Sequence, residues 1–163
     1  LDRQRSNQWQ HSWLKRSVIG LIAILAIVFG PWGNAAWAAG SEITVYRDPA
    51  CGCCKGWIAH LQTQGFQVHD IESPQMEAIK QQHGVPAELS SCHTGLIDGY
   101  AIEGHVPAED INRLVTEHPD VAGITVPGMP VGTPGMEDGD RRDSFTVYSF
   151  GQQGVETWNH YAF

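Results

Sequence analysis

Glu42-Ile43-Thr44-Val45-Tyr46 runs through Arg47 and the breaker Asp48-Pro49-Ala50 straight into Cys51-Gly52-Cys53-Cys54, and Lys55 to Gln64 follows with Trp57, Ile58 and Leu61 on one face. The opening five residues alternate and are rich in β-branched side chains, the pattern of a strand. The later stretch recurs at helical spacing and stops at Gly65. Three thiols therefore stand at a strand-to-helix junction. A helix start carries free N–H groups and partial positive charge, which favour thiolate over thiol. Thiolate is both nucleophile and metal ligand, so this position argues against inert core cysteines without choosing between redox chemistry and metal binding.

Outward from that junction, Phe66 to Ile71 alternates as a second strand. Ser73 and Pro74 are an N-cap and first-turn pair for a helix through Gln82, with Met76 and Ile79 inward and Gly84 as its stop. Thr94 to Ile97 and Tyr100 to Glu103 flank Asp98-Gly99, a two-residue hairpin signal. Pro107 opens a helix with an Ile111, Leu114 and Val115 stripe that ends near Pro119. Val126 to Met136 is a loop rich in Pro and Gly, with Pro-Gly-Met at 127–129 and again at 134–136, and Glu137 to Asp143 is a charged turn. Phe145 to Phe150 and Val155 to Tyr161 read as two more strands around a Gly151 to Gly154 turn. The order β-α-β-α-β-β-α predicts an α/β fold with a thioredoxin-like mixed sheet flanked by helices, and an added C-terminal β-hairpin.

The chain has 163 residues, the length of one ordinary domain. Residues 1–40 read as a signal peptide or N-terminal anchor: Arg3, Arg5, Lys15 and Arg16 precede the apolar run Val18 to Phe29, and Ala36-Trp37-Ala38 has the small-x-small form of a cleavage site. That run is shorter than the roughly 20 residues of a bilayer crossing, although Trp32 and Trp37 suit a membrane interface. Residues 41–163 are the single domain, expected in the periplasm or a comparable exported compartment, with the membrane a partner only if the leading segment is uncleaved. This part carries six Lys and Arg against seventeen Asp and Glu, a net charge of −11 with neutral histidines. Such a surface repels phosphate backbones and excludes nucleic acid as the expected partner.

Cys92, the fourth cysteine, comes just before the predicted hairpin. In the expected fold, the segment entering that hairpin runs beside the first strand-to-helix turn, so all four sulfurs converge. The residues then allow three chemistries. Two disulfides suit an oxidising compartment, with Cys51 paired to Cys54 and Cys53 to Cys92, because adjacent cysteines do not easily reach normal disulfide separations. A thiol–disulfide oxidoreductase fits the Cys51-x-x-Cys54 spacing, though Cys53 competes and His93 stands where a proline is usual. The third is a thiolate metal site. Zinc usually draws two cysteines from each of two knuckles, whereas here three come from one and one from the other. Crowded soft sulfurs suit bridged copper(I), which places copper ahead of zinc.

Several motifs carry a family resemblance: Cys51-Gly52-Cys53-Cys54-Lys55-x-Trp57, Ser91-Cys92-His93-Thr94, Asp98-Gly99-Tyr100-x-Ile102-Glu103-Gly104-His105-Val106-Pro107 and Val126-Pro127-Gly128-Met129-Pro130. From about Ile43 to Tyr161 the chain resembles the CopG-type exported copper-resistance proteins, domain-of-unknown-function family 411. The resemblance implies a thioredoxin-like fold, a multinuclear copper(I) site bridged by Cys51, Cys53, Cys54 and Cys92, and a role in copper tolerance. Thr133 stands where the family's Gly-Ser-Pro-Gly-Met-Glu has Ser, which leaves the ligand set intact.

His93, Met129 and Met136 are the further candidate ligands. The histidine is adjacent to Cys92, and the methionines are soft thioethers on a loop placed to fold over the site. His105 reads as a cap or packing residue, and the remaining histidines as surface or structural residues. The expected function is copper(I) sequestration or transfer, with copper ions and another copper-handling protein as partners. The alternative is an enzyme, a thiol–disulfide oxidoreductase or copper redox catalyst using Cys51 and Cys54.

Overall fold

The computed structural model describes residues 40–163, so the expected targeting segment or anchor lies outside the described residues. Its first strand, β1 (Glu42–Arg47), turns Ile43, Val45 and Arg47 inward at every second position. Arg47 is buried at the strand end because Asp70 and Glu72 meet its guanidinium, at 2.8 and 2.9 Å and at 2.7 Å. Helix α1 (Gly52–Thr63) buries Cys54, Trp57, Ile58 and Leu61, a stripe at helical spacing. It begins three residues before the predicted start at Lys55, so Cys53 and Cys54 lie within its first turn.

Strand β2 (Gln67–Glu72) lies parallel to β1. Helix α2 (Met76–Gln82) starts later than the Ser73-Pro74 signal predicts, with Gln75 at the cap. The Ser73 hydroxyl accepts from the Gln75 N–H at 3.1 Å, closing a local turn where a cap was expected. Met76 and Ile79 are only partly buried, whereas Lys80, which hydrophobic patterning would turn outward, is buried. The hairpin β3 (His93–Ile97) and β4 (Tyr100–Glu103) turns at Asp98-Gly99 as predicted. Helix α3 (Ala108–Glu117) buries Ile111, Leu114 and Val115.

A three-residue strand, β5 (Gly123–Thr125), follows α3 and lies parallel to β4. It has no periodicity to read, and sequence analysis missed it. Then β6 (Phe145–Gly151) and β7 (Gly154–Tyr161) form the C-terminal hairpin, which pairs onto β5. The result is an α/β fold with one mixed seven-stranded sheet in the order β2-β1-β3-β4-β5-β6-β7. Trp57, Leu61, Ile102, Ile111, Leu114 and Ile124 fill its core. Full burial of each large apolar side chain contributes about 1.5–3 kcal/mol. No helix among the described residues is long and apolar enough to cross a membrane.

The added hairpin is tied to α3 by polar groups. Asp110, on α3 and buried, accepts from the Tyr161 hydroxyl at 2.7 Å and from Asn159 Nδ2 at 3.0 Å.

Candidate metal centre

β1 lies antiparallel to β3 with Arg47 opposite His93, so the end of β1 and the start of β3 are neighbours. The first segment continues into Cys51, Cys53 and Cys54; the second is preceded by Cys92. Their four sulfurs lie within 4.8 Å of one another. The convergence expected from the sequence is thus a property of the sheet topology.

The sulfurs are not chemically alike. Cys51 and Cys54 are joined by a disulfide across a Cα separation of 5.5 Å, while Cys53 and Cys92 are free. This is one of the two pairings considered from the sequence; the other, Cys53 to Cys92, is not formed. Cys53 Sγ is 3.5 Å from Cys51 Sγ, and Cys54 Sγ, fully buried, is 3.8 Å from the Cys92 carbonyl oxygen. A disulfide sulfur has no negative charge to give a metal ion, so all four act as thiolates only after this bond is reduced.

Cys92 has a second set of neighbours. His93 Nδ1 lies 3.2 Å from its Sγ and His105 Nε2 lies 3.3 Å away, and these three groups form a second arrangement able to hold an ion. The His105 Nδ1 is 2.8 Å from the Pro134 carbonyl oxygen, which can only accept. Nδ1 therefore carries the proton, and Nε2 presents its lone pair to Cys92. Burial lowers the pKa of both imidazoles, so both rings are neutral donors. Burial, reinforced by Cys53, pushes the Cys92 thiol up to about 12. Without a cation the thiol keeps its proton; a bound soft cation would displace it.

Packing fixes these rings. His93 sits against the Trp57 indole, centroids 4.3 Å apart, and meets His105 edge-on at 4.9 Å. Trp57 is fully buried and donates Nε1–H to the Val106 carbonyl at 2.8 Å. His93 Nε2 is buried without a hydrogen-bond partner.

Sequence reading underrated His105, yet a usable signal was present. Counting outward from Asp98-Gly99, the hairpin pairs Ile97 with Tyr100 and Thr94 with Glu103. Two further steps bring Cys92 opposite His105.

The Pro-Gly loop folds over the site as the sequence suggested. Gly135 packs on Gly56 so closely that a Cβ at Gly56 would stand 2.9 Å from the Gly135 Cα. Ser91 Oγ donates to the Gly128 carbonyl at 2.5 Å. Thr133, the departure from the family pattern, is buried and donates its hydroxyl to the Pro130 carbonyl at 2.8 Å, a bond serine also makes. Met136 is partly buried on this loop, whereas Met129 is more than half exposed.

Comparison with known proteins agrees with these observations. Residues 89–136, which span Cys92, His93, His105 and the loop, match the family described as "Protein of unknown function, DUF411". No match is found among curated proteins. Two solved structures, "Copper resistance protein copG- Form 2" and "Copper resistance protein copG- Form 1", are each 49% identical to this chain with a TM-score of 0.73. The matches cover 76% of this chain and 99% of each solved chain. At that identity, over essentially the whole length of the solved chains, the protein belongs to the DUF411 family and shares it with the solved CopG chains.

Proposed function

We propose that this protein is an exported copper(I)-binding protein of copper tolerance, which sequesters or passes on copper through Cys51, Cys53, Cys54 and Cys92. The observation that carries this reading is the gathering of four sulfurs within 4.8 Å from two remote segments. Soft thiolates select copper(I) over harder cations, and sulfurs this crowded bridge several ions more readily than they surround one. His93 and His105 supply neutral nitrogen donors at the Cys92 side, and Met136 a thioether donor from the covering loop. Both solved relatives are named as copper resistance proteins. Residues 1–40 serve in this reading as the export signal or anchor, and the domain acts in the periplasm or a comparable compartment.

The test is anaerobic titration of the fully reduced chain with copper(I), followed by metal analysis. The expected stoichiometry exceeds one copper per chain and collapses in Cys92→Ser. Full loading of that variant would remove Cys92 from the site.

A second reading has its own support in the Cys51–Cys54 disulfide, which spans the spacing of a thiol–disulfide oxidoreductase. Turnover of a disulfide substrate by metal-free protein, dependent on Cys51 and Cys54 and abolished by copper, would favour it.

A further inference from the structure

Behind Cys92 lies a buried charge that the sulfur chemistry does not use. Glu103, at the end of β4, is completely buried. Its Oε1 accepts from Lys80 Nζ at 2.5 Å and from the Ser91 backbone N–H at 2.6 Å. Its Oε2 accepts the Thr94 hydroxyl at 2.7 Å, and that hydroxyl oxygen in turn accepts from Lys80 at 3.1 Å. Helix α2, strands β3 and β4 and the segment before β3 thus meet on one carboxylate.

A buried ion pair is weak evidence of stabilisation, because apolar residues of similar volume often do as well. What they do not supply is an acceptor for the Ser91 N–H. Ser91 immediately precedes Cys92, and its hydroxyl donates to the Gly128 carbonyl of the covering loop. It is also packed against Gly104, where φ is +75° and a Cβ would stand 2.7 Å from Ser91 Oγ. The residue that launches Cys92 is therefore held by the buried carboxylate, by the covering loop and by a glycine without room for a side chain.

We infer that Glu103 is a positioning residue of the sulfur site, setting the approach of Cys92 to Cys53 through the Ser91 N–H, with Lys80 and Thr94 holding the carboxylate in place. This rests on the proposed metal site only for the purpose Cys92 serves; the positioning itself is independent of copper.

The test uses phenylarsine oxide on the full-length chain carrying Cys51→Ser and Cys54→Ser, which leaves Cys53 and Cys92. The reagent takes both thiols: two S–H bonds break, two As–S bonds form, the arsenic oxygen leaves as water, and nothing is oxidised or reduced. Capture requires both sulfurs within reach of one arsenic. Lys80→Met with Glu103→Leu removes the Ser91 acceptor without stranding a charge. Capture is expected to weaken about tenfold or more, the cost typical of losing an outer-shell partner. Lys80→Met with Glu103→Gln keeps an amide oxygen for Ser91 and is expected to restore capture to within about threefold of the parent. Equal capture by the two double variants would overturn the inference, since a purely structural role predicts no difference at the sulfurs.

Should the leucine variant not fold, Thr94→Val replaces it. That nearly isosteric change frees one carboxylate oxygen and is expected to weaken capture roughly threefold; unchanged capture would overturn the inference equally. The arsenical readout needs no copper, so failure of copper binding and failure of positioning are separately visible.

Discussion

Cys92 Sγ lies 3.3 Å from His105 Nε2, and this contact joins the sulfur site to the loop that covers it. The opposite nitrogen of the ring is anchored on Pro134, so the imidazole is fixed in one tautomer with its lone pair on the sulfur. Replacing His105 with Phe preserves an aromatic ring against His93 and removes both nitrogens. Copper(I) affinity, measured by competition with a colorimetric chelator, is expected to fall about 10–100-fold. An unchanged affinity would return His105 to a packing role.

The disulfide makes metal loading dependent on oxidation state. Air-oxidised protein, denatured and titrated, should show two thiols, from Cys53 and Cys92, and four after reduction. Copper(I) uptake by the oxidised form is expected to be roughly half that of the reduced form or less, because only thiolates bind tightly. Equal uptake by both forms would contradict a four-thiolate site.

Gly135 tests whether the loop shelters the sulfurs. Its φ is +82°, and an added Cβ would press on the Trp57 backbone nitrogen. Gly135→Ala is expected to destabilise the fold by about 1–3 kcal/mol in a denaturant titration. Alkylation of Cys53 and Cys92 by iodoacetamide, followed by mass spectrometry, should become faster. Parent-like alkylation in a destabilised variant would show that the loop excludes nothing from the site.

The Asp110 clasp predicts a pH dependence of stability. Burial raises its pKa above the ordinary 3.8, against the opposing pull of the Tyr161 and Asn159 hydrogen bonds. With the folded value raised, the carboxyl's stabilising contribution is complete below pH 3.8 and is lost as pH rises through the folded value. Asp110→Asn removes that loss. The difference in Tm, variant minus parent, should become more positive from pH 3.5 to pH 7. A difference that is flat, or that moves the other way, would show that Asp110 does not titrate as its surroundings dictate.

The fold was legible wherever the chain carries a period or a turn signal. Val45, Trp57, Leu61 and Leu114 announce their elements through spacing, and Asp98-Gly99 fixes the central hairpin to the residue. Gly123-Ile124-Thr125 offers one large apolar side chain in three residues, so only its register against Ala101 and Phe150 makes it a strand. The meeting of the four cysteines was legible because topology alone brings their segments together. Lys80 was not, since a lysine in a helical pattern reads as solvent-facing until Glu103 is known to sit beneath it. His105 fell between these cases: hairpin arithmetic places it opposite Cys92, but nothing in its immediate neighbours reveals a functional histidine.

Neighbouring strands in a sheet are spaced at about 4.8 Å by their ladder hydrogen bonds, and the segments that follow β1 and precede β3 carry the two halves of the sulfur set. The coarse separation of the two sulfur-bearing segments is therefore measured out by backbone geometry, and side chains such as Glu103 are left only the fine adjustment. The opening turn of α1 and the residue before β3 are thus the two jaws of a caliper, and the strand pair behind them is its frame.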